Sequence, residues 1–198
     1  MYLKWCGVLV VLLTLGGCND LLNKPLQGDE PDASRLSGSW VAEEKGTRLE
    51  LKKTEKTDWY QFVVREPNRL IEGRVMVASF KRKLALSVDV ASVKVNSESL
   101  VRDDRQGYFL IGAYYDEGEL RLAPASMKKF ERNFADYFFA APIETASFCE
   151  RANQTCKDTF SDGNLLYSKN RRKFNEDFVK HFRSVFPQRD SVVFVPAT

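Results

Sequence analysis

The chain of 198 residues has few of the side chains on which enzymes usually depend. Its single histidine is His181, and it contains no Walker loop, no Gly-x-Gly-x-x-Gly sequence and no Gly-x-Ser-x-Gly elbow. General acid–base catalysis needs groups of tuned proton affinity within reach of one another, and this inventory offers almost none. The sequence therefore predicts a protein that is not an enzyme and uses no cofactor.

Candidate metal ligands and catalytic acids are similarly sparse. There is no Cys-x-x-Cys, and His181 cannot complete a zinc site with the cysteines at any usual spacing. The carboxylate pairs Asp103-Asp104 and Asp116-Glu117 fall in predicted turns, where solvated acidic residues are common. We interpret them as turn residues, and His181, beside the apolar stripe of a predicted helix, as structural. No metal site is predicted.

The chain also lacks a large net charge and a long apolar run. Its formal net charge of +3 is far from the strongly basic signature of a nucleic-acid binder, so no nucleic-acid partner is expected. The apolar stretch from Val8 to Leu15 is too short to span a hydrocarbon core of about 30 Å. Behind Lys4, it has instead the length of a signal-peptide core.

The end of this stretch, Leu15-Gly16-Gly17-Cys18, resembles the lipobox of bacterial lipoproteins. The resemblance implies that residues 1–17 are a signal peptide that is removed, that Cys18 receives a diacylglycerol, and that the new amino terminus is acylated. Several acyl chains would anchor the protein firmly, since each buried methylene contributes about 0.8 kcal/mol. The alternative is an ordinary secretory signal, with Cys18 left unmodified.

The residue after the cysteine bears on location. Among enterobacterial lipoproteins an aspartate there retains the protein at the inner membrane, and this chain has Asn19. The resemblance therefore implies the outer membrane of a bacterial cell envelope, facing the periplasm. Residues 18–35 are rich in Asn, Asp, Pro and Gly, which predicts a flexible tether. Residues 36–198 are expected to form a single domain.

The cysteine count favours a disulfide bond. Of four cysteines, Cys6 would leave with the signal peptide and Cys18 would carry lipid, which leaves Cys149 and Cys156. In an oxidising compartment, two cysteines this close in a polar segment favour a disulfide over a metal or redox site.

From Ser37 to about Ala123, apolar and polar residues alternate with the period of strands that have one wet face. The alternation changes phase between Val90 and Val93, so a bulge or strand break is expected there. Asp116-Glu117-Gly118 favours a hairpin turn. The runs amount to about seven or eight short antiparallel strands, which predicts a meander curled into a barrel or a strongly bent sheet.

Two helices are predicted after these strands, which makes the chain mainly β with C-terminal helices, an α+β fold. The first begins at Ser126 as N-cap and closes at Pro142, and the second ends at Pro187. Their apolar residues recur at three- and four-residue spacing: Met127, Phe130, Phe134, Tyr137 and Phe138, then Phe174, Phe178, Phe182, Val185 and Phe186. A short strand is expected at Leu165–Tyr167, and SVVFVPA is expected to be an edge or closing strand.

Gly38-Ser39-Trp40, just before the first strand of the predicted meander, resembles the Gly-x-Trp motif of lipocalins. The resemblance covers residues 37–139 at most, and it implies a barrel in which Trp40 packs across the closed end. Arg121, in the last strand before a helix, lies where those proteins often carry an arginine stacked on that tryptophan. Such a cation–π contact contributes about 0.5–2 kcal/mol.

Residues of the strands are the main candidates for binding. If the barrel is hollow, the inward aromatic side chains line a pocket for a small apolar ligand, and if it is filled they are ordinary core. The candidates for pocket or core are Trp40, Trp59, Tyr60, Phe62, Tyr108, Tyr114 and Arg121. The basic residues before the second helix suit anionic lipid or an acidic partner, or else form a solvated face: Lys169, Arg171, Arg172 and Lys173.

These features predict a non-catalytic, membrane-anchored envelope lipoprotein, with a lipocalin-like binding module for a small apolar ligand or an envelope component. The alternative is a protein-interaction or accessory subunit of an envelope complex with no ligand pocket.

Overall fold

The computed structural model of this chain describes residues 21–29, 36–42, 46–55, 58–81, 83–100, 107–142, 164–168 and 173–197. Within these ranges lie the helices α1 (Met127–Phe134) and α2 (Phe174–Val185). The strands are β1 (Leu21–Leu22), β2 (Gly38–Ala42), β3 (Arg48–Lys53), β4 (Trp59–Glu66), β5 (Arg69–Phe80), β6 (Lys83–Asp89), β7 (Lys94–Val95), β8 (Glu98–Ser99), β9 (Tyr108–Asp116), β10 (Glu119–Pro124), β11 (Phe138–Pro142), β12 (Asn164–Ser168) and β13 (Val192–Pro196). Neither helix is long and apolar enough to cross a membrane.

Eight of the strands close into an antiparallel barrel, in the order β2, β3, β4, β5, β6, β9, β10 and β13. The prediction of a mainly β chain with helices at its C-terminal end is confirmed, and the barrel is consistent with a lipocalin-like one. Seven strands follow one another as a meander. The eighth, β13, comes after both helices and pairs with β10 on one side and β2 on the other.

The alternation seen in the sequence builds the barrel interior. Inward side chains from the eight strands form one contiguous core, which includes Leu49, Val64, Ile71 and Leu120. The expected break after β6 is a 3₁₀ turn at Val90–Ser92. It ends the strand where the apolar residues change parity.

The hairpin between β9 and β10 turns as the sequence predicts. Glu117 and Gly118 both have positive φ, 49° and 86°. Two successive residues in this region are typical of a type I′ turn, whose twist matches that of the flanking strands.

The first helix is shorter than predicted. It ends at Phe134, and the residues from Phe138 to Pro142, expected to continue the helix, form β11 instead. This strand pairs with β12, with Phe138 opposite Ser168. The predicted strand at Leu165–Tyr167 is thus confirmed. Its backbone N–H and C=O groups pair with residues 138–142, so these residues are extended although their apolar spacing is that of a helix.

A second apolar core lies outside the barrel, between its wall and the two helices. Phenylalanines of α1 and α2 face small outward side chains such as Ala78 and Ala85. Phe178 packs on Phe80 with ring centroids 4.6 Å apart. The ring of Phe186 lies directly over Gly112, where any Cβ would overlap it. Both faces of this part of the wall are therefore buried.

Residues 21–29, which composition assigned to a flexible tether, pack against the barrel instead. Leu22 pairs with Tyr108 of β9 and with Leu166 of β12, and its side chain is fully buried. Further along, the Leu26 amide donates to Ser87 Oγ at 3.0 Å, and Asp29 bridges to Ser79. The leucines of this segment account for the difference, because their apolar side chains complete both cores. Residues 18–20 and 30–35 lie outside the described part of the chain.

Replacing Gly112 with valine should destabilise the protein by about 1–3 kcal/mol, because the added side chain must displace Phe186 from a packed core. Chemical denaturation measures this free energy of unfolding. The matched control is Gln61→Ala, an exposed outward position on β4, with an expected change within about 0.5 kcal/mol. Equal stability of the Gly112→Val protein and the wild type would contradict the packing of α2 on this wall.

Candidate functional site

The inward aromatic residues belong to the barrel core. Trp40, Tyr60 and Phe62 are 5%, 1% and 4% exposed. Phe62 lies so close to Gly73 that a Cβ there would sit 2.8 Å from its Cζ. The Trp40 indole nitrogen donates to the Leu36 carbonyl at 3.2 Å. A ligand cavity would leave part of each lining side chain open to water, so this packing favours the filled alternative.

Arg121 does not stack on Trp40 as the lipocalin resemblance implied. Leu120 and Leu122 point into the barrel, so the side chain of Arg121 between them points outward. Its Nη2 lies 2.7 Å from Glu119 Oε2. Trp40 meets instead the ring of Tyr115, edge to face, with centroids 6.2 Å apart.

Two of the predicted site residues come together on the outside of the barrel. The rings of Trp59 and Tyr108 lie 6.2 Å apart and are half-buried. The guanidinium of Arg74 lies 5.4 Å from the centre of the Trp59 ring. Arg74 Nη2 also donates to Asp89 Oδ2 at 2.7 Å. We call these four residues the outer-wall patch.

The register of the sheet assembles this patch. Val75 of β5 is opposite Val88 of β6, and both point inward, which places Arg74 beside Asp89 on the outer face. Asp89 is in turn opposite Tyr108. Arg74 and Asp89 are the patch residues that sequence reasoning missed. The available signal was Asp89 itself, the one charged residue in the run LALSVDV.

The 3₁₀ turn after β6 hydrogen-bonds to the backbone of two patch residues. Ser92 Oγ accepts a hydrogen bond from the Arg74 amide at 2.8 Å and donates to the Asp89 carbonyl at 2.7 Å. The turn at the predicted strand break therefore holds the backbone of Asp89, the acidic residue of the patch.

The patch combines a fixed ion pair with two aromatic faces. Burial raises the pKa of Tyr108 above its usual range, and the negative charge of Asp89 acts in the same direction, partly opposed by Arg74. The Tyr108 hydroxyl therefore stays protonated at neutral pH and can donate a hydrogen bond. Asp89 is buried, whereas the Arg74 side chain is 58% exposed. Trp, Tyr and Arg are the residues most enriched at the energetic centres of protein interfaces.

Tyr114 lies beneath α2 and has a structural role. Its hydroxyl donates to the Phe186 carbonyl, and its ring meets Phe182 edge to face, with centroids 5.5 Å apart. Burial raises the pKa of Tyr114 to about 12. The residue ties the end of α2 to β9 and faces away from the barrel interior.

Tyr137, just after α1, joins Asp177 and Lys180 of α2 in a polar cluster. The Tyr137 hydroxyl donates to Asp177, and Lys180 Nζ lies 3.0 Å from the other carboxylate oxygen. His181 is exposed, with its ring edge to face against Phe134 at 6.0 Å. These contacts tie the end of α1 to α2.

Several predicted residues lie outside the described part of the chain: Cys18, Cys149, Cys156, Asp103, Asp104, Lys169, Arg171 and Arg172. Acylation and the disulfide bond therefore stay predictions. Lys173 is exposed directly before α2, and Asp116 and Glu117 are exposed at the hairpin turn.

Comparison with models of protein families, with curated proteins and with solved structures finds no match to this chain.

The ion pair of the patch should matter more to stability than an exposed pair of the same barrel. Asp89→Asn removes the charged partner of Arg74 at a buried position, and should cost about 1–3 kcal/mol of unfolding free energy. The control is Glu50→Gln, which breaks the exposed contact of Glu50 with Arg65 and should cost less than about 1 kcal/mol. Equal costs in urea denaturation would show that Asp89 is not held as described.

Stability should fall at alkaline pH, in part because of Tyr114. Its pKa is about 12 in the folded protein and 10.0 ordinarily, so between these values the folded state keeps a proton that the unfolded chain loses. The contribution of Tyr114 to stability is therefore fully present below about pH 10 and is lost as pH rises toward about 12. Denaturation across this range should show a shallower decline for Tyr114→Phe than for the wild type.

The decline should not vanish in that variant. The hydrogen bond to Asp177 raises the pKa of Tyr137 to about 12, with burial and nearby carboxylates acting in the same direction. Tyr137 is unchanged in the Tyr114→Phe variant, so its part of the decline in stability remains. An unchanged pH dependence in Tyr114→Phe would contradict the buried hydroxyl of Tyr114.

Proposed function

We propose that this protein is a non-catalytic lipoprotein of the bacterial cell envelope, anchored through acylated Cys18 in the outer membrane and facing the periplasm. Its barrel binds another envelope component through the outer-wall patch and carries no small ligand inside. The observation that supports this most directly is the contrast between a densely packed interior and a partly exposed cluster of two aromatic rings and an ion pair outside.

The packed interior argues against the small-ligand alternative. The inward aromatic side chains include Tyr60 at 1%, Phe109 at 3% and Phe194 at 2% exposure. An eight-stranded barrel is just wide enough either to be filled by side chains or to hold one small ligand. A ligand would have to displace several of these side chains, and loss of one large buried side chain typically costs about 3–5 kcal/mol.

The outer-wall patch suits a protein partner. A partner that covered the faces of Trp59 and Tyr108 would bury apolar area, and it would shield the Arg74–Asp89 pair from water, which strengthens the attraction between the two charges. The Tyr108 hydroxyl would donate to an acceptor on that partner. The side chains of Trp59 and Tyr108 have only two χ angles each, so little side-chain entropy is lost on binding.

Anchoring is supported by the lipobox resemblance of Leu15-Gly16-Gly17-Cys18. The same location supplies the oxidising compartment in which Cys149 and Cys156 would pair. The modest net charge of +3 gives no support to nucleic acid as a partner.

Native mass spectrometry of the full-length protein, gently extracted from envelopes, tests the proposal. We expect a stoichiometric protein partner and no lipid-sized mass beyond the covalent acyl chains. Trp59→Ala should weaken the complex by about thirtyfold or more, as expected for loss of an interface hot spot of about 2 kcal/mol. Tyr115→Ala, which truncates an exposed aromatic residue outside the patch, is the control and should leave the complex unchanged.

The small-ligand alternative predicts a different spectrum. A bound lipid-sized molecule that survives Trp59→Ala, with no protein partner, would reject an interaction through the outer wall. Thermal melting of both variants shows whether they remain folded.

A further inference from the structure

The chain behind Cys18 joins the fold after only two residues. Leu21 is 2% exposed and belongs to the barrel core. Leu22 is fully buried, and its backbone is paired with that of Tyr108, a residue of the outer-wall patch. A lipid on Cys18 is therefore connected to the patch by a very short stretch of chain.

This connection limits how far the patch can stand from the lipid. The four peptide steps from Cys18 to Leu22 reach at most about 14 Å, at about 3.3–3.6 Å per residue. Paired Cα atoms are about 5 Å apart, so Tyr108 lies within about 20 Å of Cys18. Asp89 and Arg74 follow on the next two strands, each about 4.8 Å further. The ion pair thus lies within about 30 Å of the lipid, whichever way the barrel is turned.

A partner that covers the patch is brought close to the bilayer as well. A folded protein of about 100 residues has a radius of gyration of about 13 Å, which is comparable to the height of the patch above the membrane. A protein held in the same membrane reaches the patch by moving in the plane of the bilayer.

The small size of the patch favours such a partner. It consists of two aromatic rings and one ion pair, whereas a stable interface uses about 20–30 residues on each side. Weak contacts suffice when both proteins are confined, because a short tether raises the effective concentration to about the millimolar range. In free solution the same contacts would be largely dissociated.

We propose that the partner of the outer-wall patch is a protein held in the same membrane as Cys18, by a membrane-spanning segment or by a lipid of its own. This inference rests on the acylation and the outer-wall interface of the proposed function, and it adds the location of the partner. The packing of Leu21 and Leu22 sets the height of the patch, and the partner offers its binding surface at a matching height.

Energy transfer from Trp59 to the membrane tests the height of the patch. The acylated protein is placed in vesicles with dansyl-labelled phosphatidylethanolamine, and the Trp59 signal is the difference between the wild type and Trp59→Phe. We expect strong transfer. A spacer of about 20 Gly and Ser residues between Asp20 and Leu21, with a mean length of about 25 Å, should reduce it at least about threefold. The matched control carries the same spacer after Thr198, and unchanged transfer with the inserted spacer would overturn the proposal.

The same vesicles show whether lipid covers the patch in place of a protein. Trp and Tyr side chains are common at membrane interfaces, so the bilayer itself is the competing occupant. Acrylamide should quench Trp59 in vesicles as well as it does in the Cys18→Ala protein in solution. Loss of this quenching in vesicles would place the patch against the bilayer and would refute a protein partner there.

Photocrosslinking in intact envelopes tests the partner. p-Benzoylphenylalanine replaces either Gln61, an exposed residue opposite Arg74, or Asn68, an exposed control residue in the β4–β5 turn. At position 61 we expect an adduct with a protein that has a membrane-spanning segment or a lipid-modified residue. The spacer before Leu21 should lower its yield about tenfold, because effective concentration falls with about the −3/2 power of tether length. Thermal melting shows that each variant is folded.

The outcomes separate this inference from the proposed function. An amino-terminal peptide without lipid refutes the anchor, and the absence of any adduct specific to position 61 refutes the outer-wall interface. Both results contradict the proposed function and this inference together. A water-soluble protein crosslinked at position 61, in equal yield with and without the spacer, leaves the proposed function standing and refutes the membrane-held partner.

Discussion

Closure of the barrel by β13 is the constraint on which the rest of the structure depends. Seven strands of a meander leave two unpaired edges, at β2 and β10, and unpaired edges are a liability for any sheet. Phe194 of β13 joins them, with Ala42 on one side and Leu120 on the other. Because β13 follows α2 by only six residues, closure also brings the helix against the barrel wall.

Once α2 lies on the wall, the strands beneath it bury both faces. β6 and β9 send Leu86 and Ile111 inward, and Ala85 and Leu110 outward into the second core. Small outward residues let the phenylalanines of α2 and Phe186, directly after it, approach the backbone closely, and Gly112 lies under the Phe186 ring. The inward aromatic side chains of the described strands are buried, so the surface that we propose for recognition lies on the outside of the barrel.

The first described residues complete this arrangement. Leu21 contributes to the interior and Leu22 to the outer core, so residues 21–29 are part of the fold and not a spacer. Composition could not reveal this, because the Asn, Asp, Pro and Gly of this segment are typical of turns and linkers and are depleted in strands. What distinguishes this segment from a linker is that its leucines pack against the two apolar cores.

The sequence by itself determined the strands of the barrel, because alternation at period two records which side chains face a core. It also determined the break after β6, the β9–β10 turn and the phenylalanine stripe of α2. Only the tertiary structure decided that α1 ends at Phe134, that Arg121 faces outward, and that Trp59 and Arg74 meet Asp89 and Tyr108. The physical reason is that these outcomes depend on register between strands distant in sequence, and local patterns carry no information about which partner a residue meets.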